Sequence, residues 1–339
     1  MFKIVEENGM ARTGILKAHG VSLETPAFLP VATKACIKTI TPAEAKEAGS
    51  KAIIVNALHI YRRAMDIVSR IGVHSFMKWD GIIFSDSGGF QSIKKFPSEV
   101  KEEGIVFSMP DGRKEIFTPE KCIEVQEKIG SDFIFALDDC PSYPYSRRRV
   151  EKSVERTLLW AERSQGERNF AIVQGGIYSD LREKCAQKLA SMDFYGYAIG
   201  GLCIGEPKQE MIAVVEKTAN LLPKDKPRHL MGVGSPEDIE KCVKYGIDIF
   251  DSAFPTRNAR HGTIFTSKGK INLGKKKVRG EVIDDECNCF TCRNFSLDYL
   301  NYLFKEKEPL ALRLATIHNL HFMNSFMEKI RERIKEGSL

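Results

Sequence analysis

Carboxylates stand at the ends of three short apolar runs: Ser85-Asp86-Ser87-Gly88-Gly89, Leu137-Asp138-Asp139 and Phe250-Asp251-Ser252. Two further runs end on Gln174, before Gly175-Gly176, and on Gly200-Gly201. Carboxylates gathered in one place can act as nucleophile, proton donor or base, and glycine lets the backbone come close to a ligand. An Asp that ends a strand is often only the N-cap of the next helix, but five such run ends together mark a site. A second constellation is Cys287-Asn288-Cys289-Phe290-Thr291-Cys292, with His318 and His321 the nearby downstream imidazoles. Three thiolates and one imidazole suit tetrahedral Zn²⁺, and four protein ligands leave no open position, so the zinc is structural. The stretch from Arg313 to Leu320 looks helical, and either histidine can face the cysteines; the expected set is Cys287, Cys289, Cys292 and His318.

The elements that must position these groups are eight apolar runs: Thr25 to Thr33, Ala52 to Asn56, Gly81 to Ser87, Phe133 to Asp139, Asn169 to Gln174, Gly196 to Gly201, His229 to Gly234 and Ile247 to Ser252. Continuous hydrophobicity suits strands buried on both faces, hence a parallel sheet. Helix signals lie between them: Thr41-Pro42-Ala43-Glu44 and Ser235-Pro236-Glu237-Asp238 each offer an N-cap, Pro at the first helical position and an acidic first turn. Repeated strand–helix units predict an α/β fold, a (β/α)8 TIM barrel, whose active site is built at the C-terminal ends of the strands. A doubly wound open sheet is the competing fold. Residues 1–24 predict an antiparallel cap of two short strands around Gly20, 25–270 the barrel, and 271–339 a zinc-binding subdomain with C-terminal helices, all in one catalytic domain. Ile105 to Phe117 predicts a hairpin around Pro110-Asp111-Gly112.

With 339 residues, 42% of them apolar, the chain can bury a large core, which excludes a disordered protein. No stretch reaches the roughly 18 to 20 apolar residues that a membrane span needs, and the opening MFKIVEENGMARTG lacks a signal-peptide core. A cytoplasmic location is expected, where the nine cysteines are thiols or ligands rather than disulfides. The net charge of +6 says little, but from Arg257 to Arg279 lie eight basic side chains (Arg257, Arg260, Lys268, Lys270, Lys275, Lys276, Lys277, Arg279) and no acidic one. Such a segment is a solvated loop or a surface for a polyanion such as RNA.

Taken in order, Ser85–Gln91, Leu137–Cys140 with Tyr143-Pro144, Val173–Gly176, Gly200–Pro207, Leu230–Gly234 and Phe250–Ser252 leading to Pro255–Arg260 resemble the tRNA-guanine transglycosylases over essentially the whole chain. The resemblance implies exchange of the wobble guanine of a tRNA with a GUN anticodon for a 7-deazaguanine. Retained configuration with an uncut backbone implies a nucleophile that holds the ribose, Asp251, and a second carboxylate, Asp86, as general acid and base. It further implies that Asp138 accepts from guanine N1–H and the exocyclic amine, that Gln174 and the Gly201 N–H address O6, and that Phe90 and Met231 sandwich the base. Ser87 and Cys140 complete the pocket; the Leu202 carbonyl receives an aminomethyl group and Glu206 steadies its loop. Thr256, Arg257 and Arg260 contact the RNA, and the family implies a homodimer.

Cys140 and the end of the chain soon after the zinc site point to the bacterial type, for which the incoming base is 7-aminomethyl-7-deazaguanine. Leu202-Cys203-Ile204-Gly205-Glu206 departs from the bacterial L-A-V-G-E, and Asn56-Ala57-Leu58-His59-Ile60 from N-T-Y-H-L, which leaves queuine as an alternative. A glycoside hydrolase barrel would also use two strand-end carboxylates, but only two tryptophans, Trp79 and Trp160, are available as sugar platforms. A non-catalytic tRNA-binding homologue would be expected to lack Asp86 or Asp251, and both are present.

Overall fold

A computed structural model describes residues 1–89, 98–275 and 278–339. Its strands are, in chain order, β1 (Phe2–Asn8), β2 (Ala11–Ala18), β3 (Val21–Thr25), β4 (Ala27–Ala32), β5 (Ala52–Asn56), β6 (Ile82–Asp86), β7 (Ser98–Val100), β8 (Ile105–Ser108), β9 (Lys114–Phe117), β10 (Phe133–Phe135), β11 (Asn169–Val173), β12 (Gly196–Ile199), β13 (Arg228–Met231), β14 (Ile249–Ser252), β15 (Thr263–Thr266) and β16 (Gly269–Asn272). All eight apolar runs become parallel strands of one closed barrel, ordered β4-β5-β6-β10-β11-β12-β13-β14, with β14 returning to β4. The open-sheet alternative is thereby excluded. Both expected caps form: the Thr41 hydroxyl accepts from the Glu44 N–H in a reciprocal capping box, and the Ser235 hydroxyl accepts from the Asp238 N–H.

Because strand side chains alternate, the barrel has two cores. Leu29, Ile54, Ile82, Phe84, Phe133, Phe135, Phe170, Ile172 and Ile249 fill its interior, whereas Phe28, Ile53, Ile83, Val173, Ile199 and Phe250 pack outward under the helices. Four phenylalanines crowd the interior, with Phe84 and Phe133 ring centroids 4.9 Å apart. On β12 and just past its end the inward positions are accordingly small, Gly196, Ala198 and Gly200; a Cβ on Gly200 would lie 2.6 Å from Ile172 Cγ2.

The N-terminal cap has three strands rather than two, β1-β2-β3, with Leu16 and Leu23 closing the interior core from below. The unexpected strand is β1, whose Lys3, Glu6 and Glu7 side chains give an edge with little apolar pattern. The predicted hairpin forms as β8–β9, turning at Met109 to Gly112, and β7 extends it to three strands. After the barrel, β15–β16 and the helices Leu297–Lys305 and Pro309–Lys335 enclose a separate small core of Ile264, Leu273, Ile283, Leu300 and Leu314. At about 1.5 Å per residue, the 27-residue helix Pro309–Lys335 runs on to the cap, where Arg331 donates to the Pro26 carbonyl at 2.9 Å.

Cap and barrel are joined by a buried ion pair. Arg12 on β2 donates from Nε and Nη2 to Asp248 at 2.9 and 2.6 Å, and both side chains are almost wholly excluded from solvent. Asp248 also accepts from the Arg228 N–H at 2.7 Å, which ties the starts of β13 and β14 to the cap. Arg12→Leu would leave a buried carboxylate without its cation, so it should destabilise the protein by about 3–5 kcal/mol. Urea unfolding measures this; a loss below about 1 kcal/mol would show that the pair is not what holds the cap.

Candidate functional site

The inward parity that fills the barrel with apolar groups also points the last inward residue of several strands into its mouth. Asn56, Asp86, Met231 and Asp251 end β5, β6, β13 and β14 on the inward face, and Gln174 continues the inward series of β11. Asn56 does two things at once. Its Oδ1 accepts from the His59 N–H at 2.9 Å and so caps the helix Ala57–Ile71, while its Nδ2 donates to Asp86 Oδ2 at 3.1 Å. The other Asp86 oxygen accepts from the Gly88 N–H at 3.3 Å, and the Ser87 hydroxyl accepts from the Gly89 N–H at 3.3 Å. Gly88 has φ +87°, and a Cβ on Gly89 would lie 2.9 Å from the Asp138 carbonyl oxygen, so this turn closes only with glycines. Phe90 lies outside the described residues.

The adjacent carboxylates Asp138 and Asp139 are sent opposite ways. The regular strand stops at Phe135, and the irregular backbone beyond it turns Asp138 inward, where Gln174 Nε2 donates to its Oδ2 at 2.7 Å. Asp139 instead faces the helix Arg147–Glu162 and pairs with Arg149 and Arg156. Burial, opposed by the Gln174 hydrogen bond and reinforced by the charges of Asp86 and Asp139, pushes the Asp138 carboxyl up to about 7. Beside it Cys140 is buried, and its thiol is pushed up by the same exclusion of water. Gln174 is 1% exposed and its Oε1 has no hydrogen-bond partner among the described residues. Gly201 packs against that oxygen with φ +67°, where a side chain would collide with the amide. Behind Gln174, the buried Arg182 donates to the Val173 and Gly176 carbonyls at 2.7 and 2.9 Å and fixes the turn.

Asp251 accepts a hydrogen bond at Oδ1 from His229 Nε2, 2.8 Å away. Met231 stands beside it, register-paired across β13 and β14. Leu202 is buried, and Glu206 holds the loop after it by accepting from the Cys203 N–H and, at 3.0 Å, the Ile204 N–H. The short helix Phe254–Arg260 follows Asp251 directly. It buries Thr256 and places Arg257 and Arg260 side by side, with no carboxylate partner for either among the described residues. Burial and the neighbouring Arg257 charge lower the Arg260 guanidinium pKa, and its Nη1 has no hydrogen-bond partner among the described residues. The rest of the basic segment is less uniform than its sequence suggests: Lys268 pairs with Asp285 and Lys270 with Glu237, and Lys276 and Lys277 lie outside the described residues.

In the last third, Cys287, Cys289, Cys292 and His318 bring their ligand atoms within 4.8 Å of one another. His318 Nδ1 is 3.6, 3.6 and 3.2 Å from the three sulfurs, and Nε2–H donates to the Phe265 carbonyl at 2.6 Å, which leaves Nδ1 free to bind a metal. A Cys3His donor set converging at this range fits a tetrahedral ion. His321 is occupied elsewhere, with Asn288 at 2.7 Å and Ser325 at 3.3 Å. Next to His318, Asn319 accepts from the Phe265 N–H and donates to the Thr263 and Pro255 carbonyls. The Cys3His cluster is thus wired through β15 to the helix that carries Arg257 and Arg260. Of the remaining cysteines, Cys122, Cys140, Cys185 and Cys242 are buried, while Cys36 and Cys203 are exposed.

Three residues of this site were not singled out by the sequence. Asn56 ends an apolar run just as the carboxylates do, and that position was a usable signal. His229 shares inward parity with Met231, but only the packing inside the barrel shows that it meets Asp251. Arg182 sits among charged residues of an ordinary amphipathic helix and carried no signal.

Comparison with known proteins gives one consistent result. The family model described as queuine tRNA-ribosyltransferase matches residues 7–339. A queuine tRNA-ribosyltransferase of Thermoanaerobacter sp. (strain X514) is 49% identical over 97% of this chain and 91% of its own length. That of Bacillus subtilis (strain 168) is 46% identical over 97% and 90%, and that of Staphylococcus aureus (strain JH9) 44% identical over 99% and 92%.

The cluster itself makes a direct prediction. His318→Ala should reduce bound metal to background in elemental analysis and lower the unfolding midpoint, while His321→Ala should keep the metal. Retention in the first variant, or loss in the second, would reverse the ligand assignment.

Proposed function

Because the chain belongs to the queuine tRNA-ribosyltransferase family and is therefore a pentosyl-transferring enzyme acting on tRNA, we propose that it exchanges the wobble guanine of tRNAs with a GUN anticodon for 7-aminomethyl-7-deazaguanine. The observation that carries this reading is Asp138: a carboxylate buried at the barrel mouth, joined to Gln174 and adjacent to Gly201. Two acceptor oxygens there match the N1–H and exocyclic amine of guanine, whereas adenine offers an acceptor at N1. The second N–H of Gln174 and the N–H of Gly201 meet O6. Met231 and Phe90 enclose the ring, Ser87 and Cys140 line it, and Glu206 holds the Leu202 carbonyl in place for the aminomethyl group.

The chemistry then needs two carboxylates with different tasks. Asp251 attacks C1′ from the face opposite the base, the C1′–N9 pair leaves with guanine, and Asp86 supplies the proton. The incoming base gives its proton to Asp86 as it displaces Asp251 from C1′. Arg257, Arg260 and Thr256 hold the RNA beside the target, and an anticodon loop gives up a flipped base at little expense. Zn²⁺ is the metal that best suits the Cys3His set, with a structural role. We read residues 1–339 as one catalytic unit of a cytoplasmic homodimer, with a cap at 1–24, the barrel at 25–270 and the zinc-binding part at 271–339, whose small core also draws on Ile264 from before that boundary.

Labelled guanine should enter an unmodified tRNA bearing a wobble guanine, and 7-aminomethyl-7-deazaguanine should compete better than queuine; the reverse order would name queuine as the natural base. Asp251→Ala should bring exchange below about one part in 10⁴ and abolish the SDS-resistant tRNA adduct while tRNA binding persists. An adduct that survives this substitution would sink the assignment. Only ionised Asp138 offers two acceptors, and its carboxyl is pushed up to about 7. Affinity for guanine should therefore fall as pH drops below about 7, approaching tenfold per unit. A guanine competition series between pH 5 and 8 checks this, and a flat profile would contradict it.

A further inference from the structure

We propose that His229 is a positioning residue for Asp251: its Nε2–H holds Oδ1 and thereby commits Oδ2 to the sugar. The proposal rests on the reading of Asp251 as nucleophile. His229 lies on the inward face of β13, two residues below Met231, and its side chain is 0% exposed against 12% for Asp251. Its ring stands edge-on to Phe135 at 5.2 Å and to Phe84 at 6.0 Å. Two aromatic walls fix the plane of the imidazole. Among the described residues Nδ1 has no hydrogen-bond partner, and Nε2 addresses Asp251 Oδ1 at 2.8 Å. A histidine placed among phenylalanines, with one polar contact and that contact on the reactive carboxylate, does more than fill space.

The bond has a different value along the reaction. Before attack Oδ1 belongs to a carboxylate, and a hydrogen bond to a charged acceptor is about twice as strong as one to a neutral acceptor. When Oδ2 bonds to C1′ and the C1′–N9 pair leaves with guanine, Oδ1 becomes an ester carbonyl and the bond weakens. When N9 of the incoming base attacks C1′, the C1′–Oδ2 pair returns to Asp251, and Nε2–H stabilises the charge that reappears. The donor therefore orients the attack and favours release of the ester. Because it holds the carboxylate more tightly than the ester, its loss shifts the balance between them toward the ester, which builds up even where the attack is less well oriented.

His229→Phe keeps a planar ring in an aromatic socket and removes the donor; His229→Gln restores an N–H. Guanine exchange by the Phe variant should fall about 10- to 100-fold in kcat, the range expected for loss of a hydrogen bond to a charged group, with KM for tRNA unchanged. The fraction of enzyme trapped as tRNA adduct should rise, and Gln should recover most of the turnover. Full turnover in a Phe variant with an intact unfolding transition, equal losses in Phe and Gln, or turnover and adduct falling together would each overturn the proposal. Should the Phe variant not fold, ¹⁵N-histidine spectra of the unmodified protein decide: a proton on Nε2 supports the proposal, and the Nδ1–H form with bare Nε2 overturns it. No adduct in the unmodified protein, with exchange intact in Asp251→Ala, would instead remove the nucleophile reading itself.

Discussion

The closure of eight parallel strands into one barrel is the constraint from which the rest follows. A parallel ladder brings every strand to its end at the same rim, and closure leaves no edge on which a polar group can reach water sideways. The interior is then a sealed column of Phe84, Phe133, Phe135 and Phe170, capped below by Leu16 and Leu23. Any polar group on the inward face at the top stands on an apolar floor and must find its partner among other rim residues. Asp86 with Asn56, Asp138 with Gln174 and Asp251 with His229 are three solutions to that one problem.

The kind of partner separates the carboxylates at the mouth from those elsewhere in the barrel. At the mouth the hydrogen bonds seen among the described residues come from amide and imidazole N–H groups, which orient a carboxylate without neutralising it. Away from the mouth, Asp139 is matched by Arg149 and Arg156, and Asp248 by Arg12. An arginine meets a carboxylate with charged donors and an amide does not; burial raises the carboxyl in both settings, for Asp138 at the mouth and for Asp248 beside Arg12. Adjacent residues in the chain, Asp138 and Asp139, thus fall on opposite sides of this division.

The second assembly, around the cysteines, extends the same logic outside the barrel. Arg257 and Arg260 ride on a helix of seven residues, too short to hold itself in place. Its position is set by Asn319, which reaches the Pro255 and Thr263 carbonyls, and by the neighbouring His318, whose ring spans from the sulfurs to the Phe265 carbonyl. A structural ion at the cluster would stiffen the surface that carries the two arginines, far along the chain from the strand ends.

Much of this was legible in the sequence, because local rules act over a few residues. The eight apolar runs, the caps at Thr41 and Ser235, the Pro110-Asp111-Gly112 turn and the C-x-C-x-x-C spacing each state their structure within a short window. The run ends also named the rim, since a parallel barrel leaves strand ends only one place to go. What the sequence could not decide was direction and partnership. Strand β1 has almost no apolar pattern, so its pairing with β2 follows from the cap as a whole. Parity carried beyond Phe135 would have turned Asp138 outward, and only the irregular backbone there turns it in. The choice between His318 and His321, three residues apart on one helix, was made by which face of that helix meets Phe265. His229 is register-paired with Ile249, and the packing of side chains inside the barrel brings its ring across to Asp251. Sequence fixes what each residue can do within its own element, and packing between distant elements decides which group it meets.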